Sequence, residues 1–93
     1  MTEELVTLET FKMLEEKGFN EYHYPTKSIA QRWLRETKNL HIEISYMYEN
    51  YWIYDILTIP NHDLVGLSDR PIIHYKSYEE SLEAGIQEAL KLI

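Results

Sequence analysis

The side chains that could do chemistry in this chain are its four histidines and the carboxylates and hydroxyls near them. His41-x-Glu43 and Asn61-His62-Asp63 combine imidazole and carboxylate groups, as many metal sites do. Ser68-Asp69 and His62-Asp63 together contain the residue types of a small hydrolase. A metal site needs three or four converging ligands, and a catalytic nucleophile needs a base that a third group orients. The spacing of these fragments predicts neither arrangement.

Motifs that would strengthen a catalytic interpretation are absent from the sequence. There is no cysteine, no histidine pair one helical turn apart, no glycine-rich phosphate loop and no nucleophile elbow. The other histidines, His23 and His74, are scattered along the chain. We therefore expect solvated histidines, no metal, no cofactor and no catalytic residues. A small hydrolase or metal enzyme is kept as the second alternative function.

The charge of the chain is acidic and unevenly distributed. The formal net charge is −7 at pH 7, which disfavours a nucleic-acid duplex or an anionic membrane as the default partner. Residues 1–17 and 77–93 are acidic, whereas residues 20–39 are net basic. The basic side chains of that middle segment are Lys27, Arg32, Arg35 and Lys38.

Composition favours one domain, residues 1–93, in a reducing compartment. A content of 44% apolar residues suffices for a small core, and the lack of cysteine excludes disulfides. No run approaches the roughly 18 apolar residues that span a bilayer. The acidic start, Met1-Thr2-Glu3-Glu4, is unlike a signal peptide. We expect a cytoplasmic protein that does not bind membranes.

Apolar spacing and capping residues predict three helices. The first covers residues 3–17, with Thr2 or Thr7 as N-cap and Gly18 as the stop. The second covers residues 27–38 after Thr26, with one apolar side and a basic outer side. The third follows the capping box that begins at Ser77 and covers residues 78–92.

Alternation of apolar and polar residues predicts the strands. Residues 40–48 and 51–59 form a hairpin, and residues 72–76 form a short third strand. In the return strand we place Trp52-Tyr54-Ile56 inward, because the opposite facing would bury Asp55 without a partner. Even-numbered residues of the first strand then pair with even-numbered residues of the second strand. This pairing requires a loop of three or five residues.

These elements predict an α+β fold with a three-stranded antiparallel sheet and the helices on one face. The element order is α-α-β-β-β-α, so residues 26–93 follow the order of double-stranded-RNA-binding domains. That family contacts phosphates through lysines at the start of its last helix. This chain has Tyr78-Glu79-Glu80 there, so the likeness concerns the fold and not the activity.

Three blocks carry a second resemblance: residues 26–36, with Lys27-Ser28-Ile29-Ala30 at their start, residues 41–44, and residues 78–93. The chain from about residue 20 onwards resembles short uncharacterised proteins encoded by prophages and mobile elements of gut bacteria. The resemblance implies an intracellular accessory protein. It implies no activity and no catalytic residues.

The expected function is a non-enzymatic binding module that contacts a protein partner or a second copy of itself. Tyrosine and tryptophan are common binding anchors, and they cluster in the hairpin. The predicted partner-binding residues lie on the open sheet face: His41, Glu43, Met47, Tyr51 and Ile53. The alternative is a nucleic-acid binder that uses the basic helix face. Its residues are Lys27, Arg32, Arg35 and Lys38.

Overall fold

A computed structural model describes residues 4–20, 24–65 and 73–93 of the chain. Within these ranges the chain forms three helices and two antiparallel strands, in the order α-α-β-β-α. They are α1 (Leu8–Glu16), α2 (Lys27–Thr37), β1 (Leu40–Met47), β2 (Tyr51–Thr58) and α3 (Tyr78–Lys91). The α+β class is confirmed, and the three-stranded sheet is wrong.

The predicted third strand is replaced by a single bridge. Trp52 and Tyr75 exchange two backbone hydrogen bonds, of 2.9 and 3.0 Å. Pairing does not continue because Ile73 and His74 are exposed on one side, and Ser77 already caps α3 on the other. The α-β-β-β-α order is therefore not found in the described residues. The predicted loop at residues 66–70 and the start of the third strand, residues 71–72, lie outside them.

The hairpin has the predicted pairing of even with even positions. Leu40 lies opposite Thr58, and Met47 lies opposite Tyr51. The loop has three residues, 48–50, as one of the two predicted lengths requires. Glu49 and Asn50 reverse the chain in the left-handed region, with φ of 77° and 66°. This turn fixes which residues of each strand face the helices.

The hydrophobic core lies between one face of the hairpin and the helices. α3 packs across both strands, α2 packs against β1 and α3, and α1 packs against α3. Tyr54 and Ile56 are buried in this core, which confirms the predicted facing of β2. The core residues with no exposed surface are Leu14, Ala30, Leu34, Ile42, Ile56, Ile86 and Ala89.

The core-facing side of the hairpin is open at its loop end. The alternation predicts that Tyr46 and Tyr48 face the core, but these residues are 57% and 91% exposed. β1 ends at Met47, so Tyr48 belongs to the turn. α3 begins only at Tyr78, whose ring centre lies 5.6 Å from that of Trp52. The end of the hairpin therefore lies beyond the part of the sheet that the helix covers.

α1 is shorter than predicted and begins at Leu8. Thr7 is the N-cap, and its side chain accepts a hydrogen bond from Thr10 N. The residues before it pair with the start of α2: Val6 N donates to Pro25 O, and Lys27 N donates to Glu4 O. Because this backbone is extended and paired, it cannot continue the helix.

α2 and α3 begin at the predicted caps. The side chains of Thr26 and Ser77 accept from the backbone N–H three residues on. The carboxylate of Glu80 accepts from Lys76 N at 3.3 Å, one residue before the position that a capping box uses. No described helix is long and apolar enough to cross a membrane.

Gly85 lies where α3 crosses the hairpin. A Cβ built on it would lie 2.7 Å from Ile42 Cγ2 and 3.1 Å from Tyr54 Cγ. The glycine therefore permits close contact between helix and sheet. Any side chain at position 85 would push the helix away from the sheet.

We expect Gly85→Ala to lower the free energy of unfolding by about 1 kcal/mol. Overpacking a close contact costs about 1–3 kcal/mol, which outweighs the roughly 1 kcal/mol that alanine gains over glycine in a helix. Urea denaturation measures the change.

The matched background for this test is Ile42→Ala, which lacks the Cγ2 atom that the new Cβ would meet. The cost of Gly85→Ala should shrink there, because only the contact with Tyr54 remains. A Gly85→Ala protein that is more stable than the wild type would contradict the close contact.

Candidate functional site

The predicted partner-binding residues lie on the sheet face opposite the core. His41, Glu43 and Met47 alternate along β1, and Tyr51 and Ile53 alternate along β2. Met47 and Tyr51 are direct cross-strand partners. The structure therefore brings these five residues onto one surface, which we call the outer face. The outer face is not uniformly open, because Leu57 on it is buried.

A cleft of about 330 Å³ lies at the end of the outer face near the start of β1. Its charged and titratable side chains come from three places: α2, β1 and the turn after β2. The lining residues are Arg35, His41, Glu43, Leu57, Thr58, Ile59, Pro60 and His62. The cleft combines an apolar floor with a few polar groups, which is the usual composition of a recognition site.

Two polar features of the cleft have no partner among the described residues. Nδ1 of His41 is buried and makes no hydrogen bond there. Glu43 lies directly opposite Asp55, so two acidic side chains occupy paired positions on the strands. Like charges in direct cross-strand positions are destabilising unless a cation or donor joins them. The exposed carboxylate of Glu43 can form an ion pair with a partner.

Metal binding has no geometric support in the described part of the chain. No group of three or more His, Asp or Glu side chains there is arranged to hold a metal ion. His41 and His62 share the cleft with Glu43 without forming such a group. The hydrolase fragment Ser68-Asp69 and the histidine His23 lie outside the described residues.

The predicted nucleic-acid-binding residues do not form one surface. Arg32 faces solvent beside Glu36, with 3.8 Å between Nε and Oε1. The ammonium group of Lys38 lies 5.5 Å from the centre of the Trp33 ring. Arg35 borders the cleft. Lys27 lies in the interior instead, with only 8% of its surface exposed.

Lys27 lies inside because it pairs with acidic groups of other segments. Its Nζ is 3.3 Å from Glu4 Oε1 and 3.8 Å from Glu83 Oε1. It also donates a hydrogen bond to the backbone oxygen of Glu79 at 3.1 Å. Sequence reasoning placed Lys27 with the exposed cations because it shares their side of the helical wheel. The long-range acidic partners were not recognisable from α2 alone.

Glu83 is the centre of this buried polar cluster. Its Oε2 accepts from the hydroxyl of Thr7 at 3.0 Å and from the hydroxyl of Thr10. Gln87, one turn further along α3, donates to Thr10 Oγ1 at 2.8 Å. The cluster thus joins α1, α2 and α3. The sequence did contain a sign that Thr10 is buried. Thr10 lies four residues before Leu14, so both residues are on the same side of α1.

Aromatic rings gather at the loop end of the hairpin. The ring centre of Trp52 lies 4.8 Å from that of Tyr46 and 5.6 Å from that of Tyr78. Tyr48, in the turn, lines a cavity together with Tyr46. We call Tyr46, Tyr48, Trp52 and Tyr78 the hairpin-end surface. On the outer face of the same end, Tyr51 stacks on His74 with 3.7 Å between ring centres.

The chain matches no protein-family model, no curated protein and no solved structure.

We expect Lys27→Met to lower the free energy of unfolding by about 3 kcal/mol. Removing one partner of a buried ion pair leaves the other charge uncompensated, here that of Glu83. Chemical denaturation measures the loss. Lys38→Met is the matched control, because Lys38 is exposed on the same helix and should change stability by about 0.5 kcal/mol or less.

The double variant Lys27→Met with Glu83→Gln should be more stable than Lys27→Met alone. Glutamine removes the uncompensated charge and keeps an oxygen for Thr7 and Thr10. If Lys27→Met and Lys38→Met lower the free energy of unfolding by the same small amount, the buried pairing of Lys27 with Glu83 is contradicted.

Proposed function

We propose that this chain is a small cytoplasmic binding module that contacts a protein partner through the hairpin-end surface, and that it has no enzymatic activity. The outer face, with its cleft, extends the contact toward the start of β1. The absence of cysteine supports a reducing compartment.

The exposure of large aromatic residues is the observation that carries the proposal. Tyr48 is 91% exposed, Tyr46 is 57% exposed and Tyr78 is 40% exposed. The rings of Tyr46 and Tyr78 lie beside that of Trp52, and Tyr48 lines a cavity with Tyr46. Tyrosine and tryptophan have a large apolar area and lose little side-chain entropy on binding, so they dominate many interface hot spots. A contiguous patch of such rings is a common mark of a protein interaction site.

The outer face supplies polar groups of the kind that orient a partner. Arg35, His41 and Glu43 border the cleft beside an apolar floor. Since Arg35 and Glu43 form no ion pair with the described residues, a bound protein can pair with them without first breaking an existing ion pair. Polar contacts of this kind contribute specificity more than affinity.

A prophage origin is part of the proposal. It is supported by the resemblance of residues 26–36, 41–44 and 78–93 to accessory proteins of prophages and mobile elements. A binding module of this size would act by covering a surface of another protein.

Nucleic-acid binding is the alternative function, and it depends on Arg32, Arg35 and Lys38. The burial of Lys27 weakens it, because fewer exposed cations are available for phosphates.

We expect Tyr48→Ala to weaken binding of the partner on the order of tenfold or more, since it truncates an aromatic anchor. The partner is captured with the wild-type chain from the source cells, purified, and titrated against each variant by calorimetry. Stability should change by about 0.5 kcal/mol or less, because Tyr48 is exposed.

Leu92→Ala is the matched control. Leu92 is also an exposed apolar residue, but it lies just beyond the far end of α3 from Tyr78. Its variant should bind like the wild type. If Tyr48→Ala, Tyr51→Ala and Met47→Ala all bind like the wild type, and the chain sediments as a monomer, the proposed function is wrong.

Gel-shift experiments test the alternative. We expect no shift of single- or double-stranded RNA or DNA by micromolar protein at about 50 mM salt, where electrostatic binding is strong. A shift that disappears in the triple variant Arg32→Gln, Arg35→Gln, Lys38→Gln would establish nucleic-acid binding instead.

A further inference from the structure

The backbone of β1 has hydrogen-bonding groups that point away from the sheet. Trp52 uses both its N–H and its C=O to bind Tyr75, on the side of β2 away from β1. Its cross-strand partner, Tyr46, must therefore direct its own N–H and C=O away from β2. Because this direction alternates along a strand, Ile44 and Ile42 point the same way as Tyr46. These groups line the free edge of β1.

A side chain of α2 closes part of this edge. Gln31 donates from Nε2 to the backbone oxygen of Ile42 at 2.7 Å. At Ile44 and Tyr46 the outward N–H and C=O groups have no partner among the described residues. The free edge therefore begins just past Gln31 and ends at the hairpin-end surface.

This edge has few of the features that usually prevent strand addition. Native proteins commonly block exposed edges by charge, by proline or by a bulge that changes the twist. β1 pairs with β2 over eight residues without a bulge, contains no proline, and has Glu43 as its one acidic or basic residue besides His41. An unblocked edge favours the addition of an extended chain, whose backbone alone can satisfy several outward groups in a row.

One cationic side chain lies beside the edge, although the whole chain is acidic. Gln31 and Arg35 are one turn apart on the same side of α2, and Arg35 borders the cleft with His41 and Glu43 of β1. Arg32, next to Gln31 in sequence, already lies 3.8 Å from the carboxylate of Glu36. A segment added to β1 thus meets the guanidinium group of Arg35 where it reaches α2, and a carboxylate complements that group.

We propose that the free edge of β1 at Ile44 and Tyr46 binds an extended, acidic peptide segment of the partner protein. The segment pairs with β1 as a third strand of the sheet and places a carboxylate near Arg35. This inference rests on the proposed protein-binding function and specifies the chemistry of the partner.

Amide hydrogen exchange on the wild-type chain tests the edge directly. The probe is the peptide acetyl-Glu-Val-Thr-Val-Thr-Val-Glu-amide, and NMR follows exchange at each residue. In the free chain the amides of Ile44 and Tyr46 should exchange faster than those of Glu43 and Ser45, which pair with β2. Saturating peptide should slow Ile44 and Tyr46 on the order of tenfold or more.

The matched peptide with lysine in place of both glutamates should bind at least about fivefold more weakly, because it meets Arg35 with like charge. Unchanged exchange at Ile44 and Tyr46 with either peptide would overturn the edge site. Equal protection by both peptides would overturn the acidic assignment. If Ile44 and Tyr46 become protected in the absence of peptide as the protein concentration rises, the edge binds a second copy of the chain. That result would overturn the proposal of a peptide partner.

A pair of variants isolates the backbone contribution. Tyr46→Val and Tyr46→Pro both remove the ring, but only proline removes the outward N–H, and proline is tolerated where that group faces solvent. We expect the proline variant to bind the acidic peptide on the order of tenfold more weakly than the valine variant. Equal affinity in two folded variants would overturn the strand pairing.

The two proposals fail separately. If the edge amides stay unprotected but Tyr48→Ala weakens partner binding, the edge site is wrong and the proposed binding function stands. If the peptide protects the edge amides but the Tyr48, Tyr51 and Met47 variants bind the partner normally, the proposed contact through the hairpin-end surface and the outer face is wrong.

Discussion

The fold depends on the close approach of α3 to the hairpin at Gly85. A two-stranded hairpin is at best marginally stable alone, so its core-facing side must be covered by another element. The missing side chain at Gly85 lets α3 lie directly on Ile42 and Tyr54 and cross both strands. α1 and α2 then pack against α3. Because α3 begins only at Tyr78, the part of the hairpin beyond its first turn stays exposed, and that part has the exposed aromatic rings.

The polar contacts that join the helices have a different role from those on the surface. Lys27, Glu83 and Thr10 meet inside the molecule, where Oε2 of Glu83 accepts hydrogen bonds and Oε1 lies 3.8 Å from the ammonium group without one. Buried charges of this kind contribute little net stability, and any shift of a helix would leave a charge without its partner. The cleft has the opposite character, since its Arg35 and Glu43 form no ion pair with the described residues.

Local features of the sequence predicted much of the fold. Thr26 and Ser77 fixed the starts of α2 and α3 because capping acts within three residues. Alternation and the energetic cost of burying Asp55 predicted the facing of β2. The wrong predictions concern features that depend on contacts between residues distant in sequence. The start of α1 depends on pairing with Pro25, and the burial of Lys27 depends on Glu83. For the site, the outer-face residues were predicted together, whereas the exposure of Tyr46 depends on where α3 begins.

The contact between Thr10 and Glu83 also has a consequence for folding kinetics. It joins residues separated by 73 positions, so it closes a loop that contains most of the chain. Closing such a loop is entropically costly and comes after local structure forms. Among the described elements, α1 packs mainly on α3 and so depends on this contact. The two ends of the chain should therefore order together.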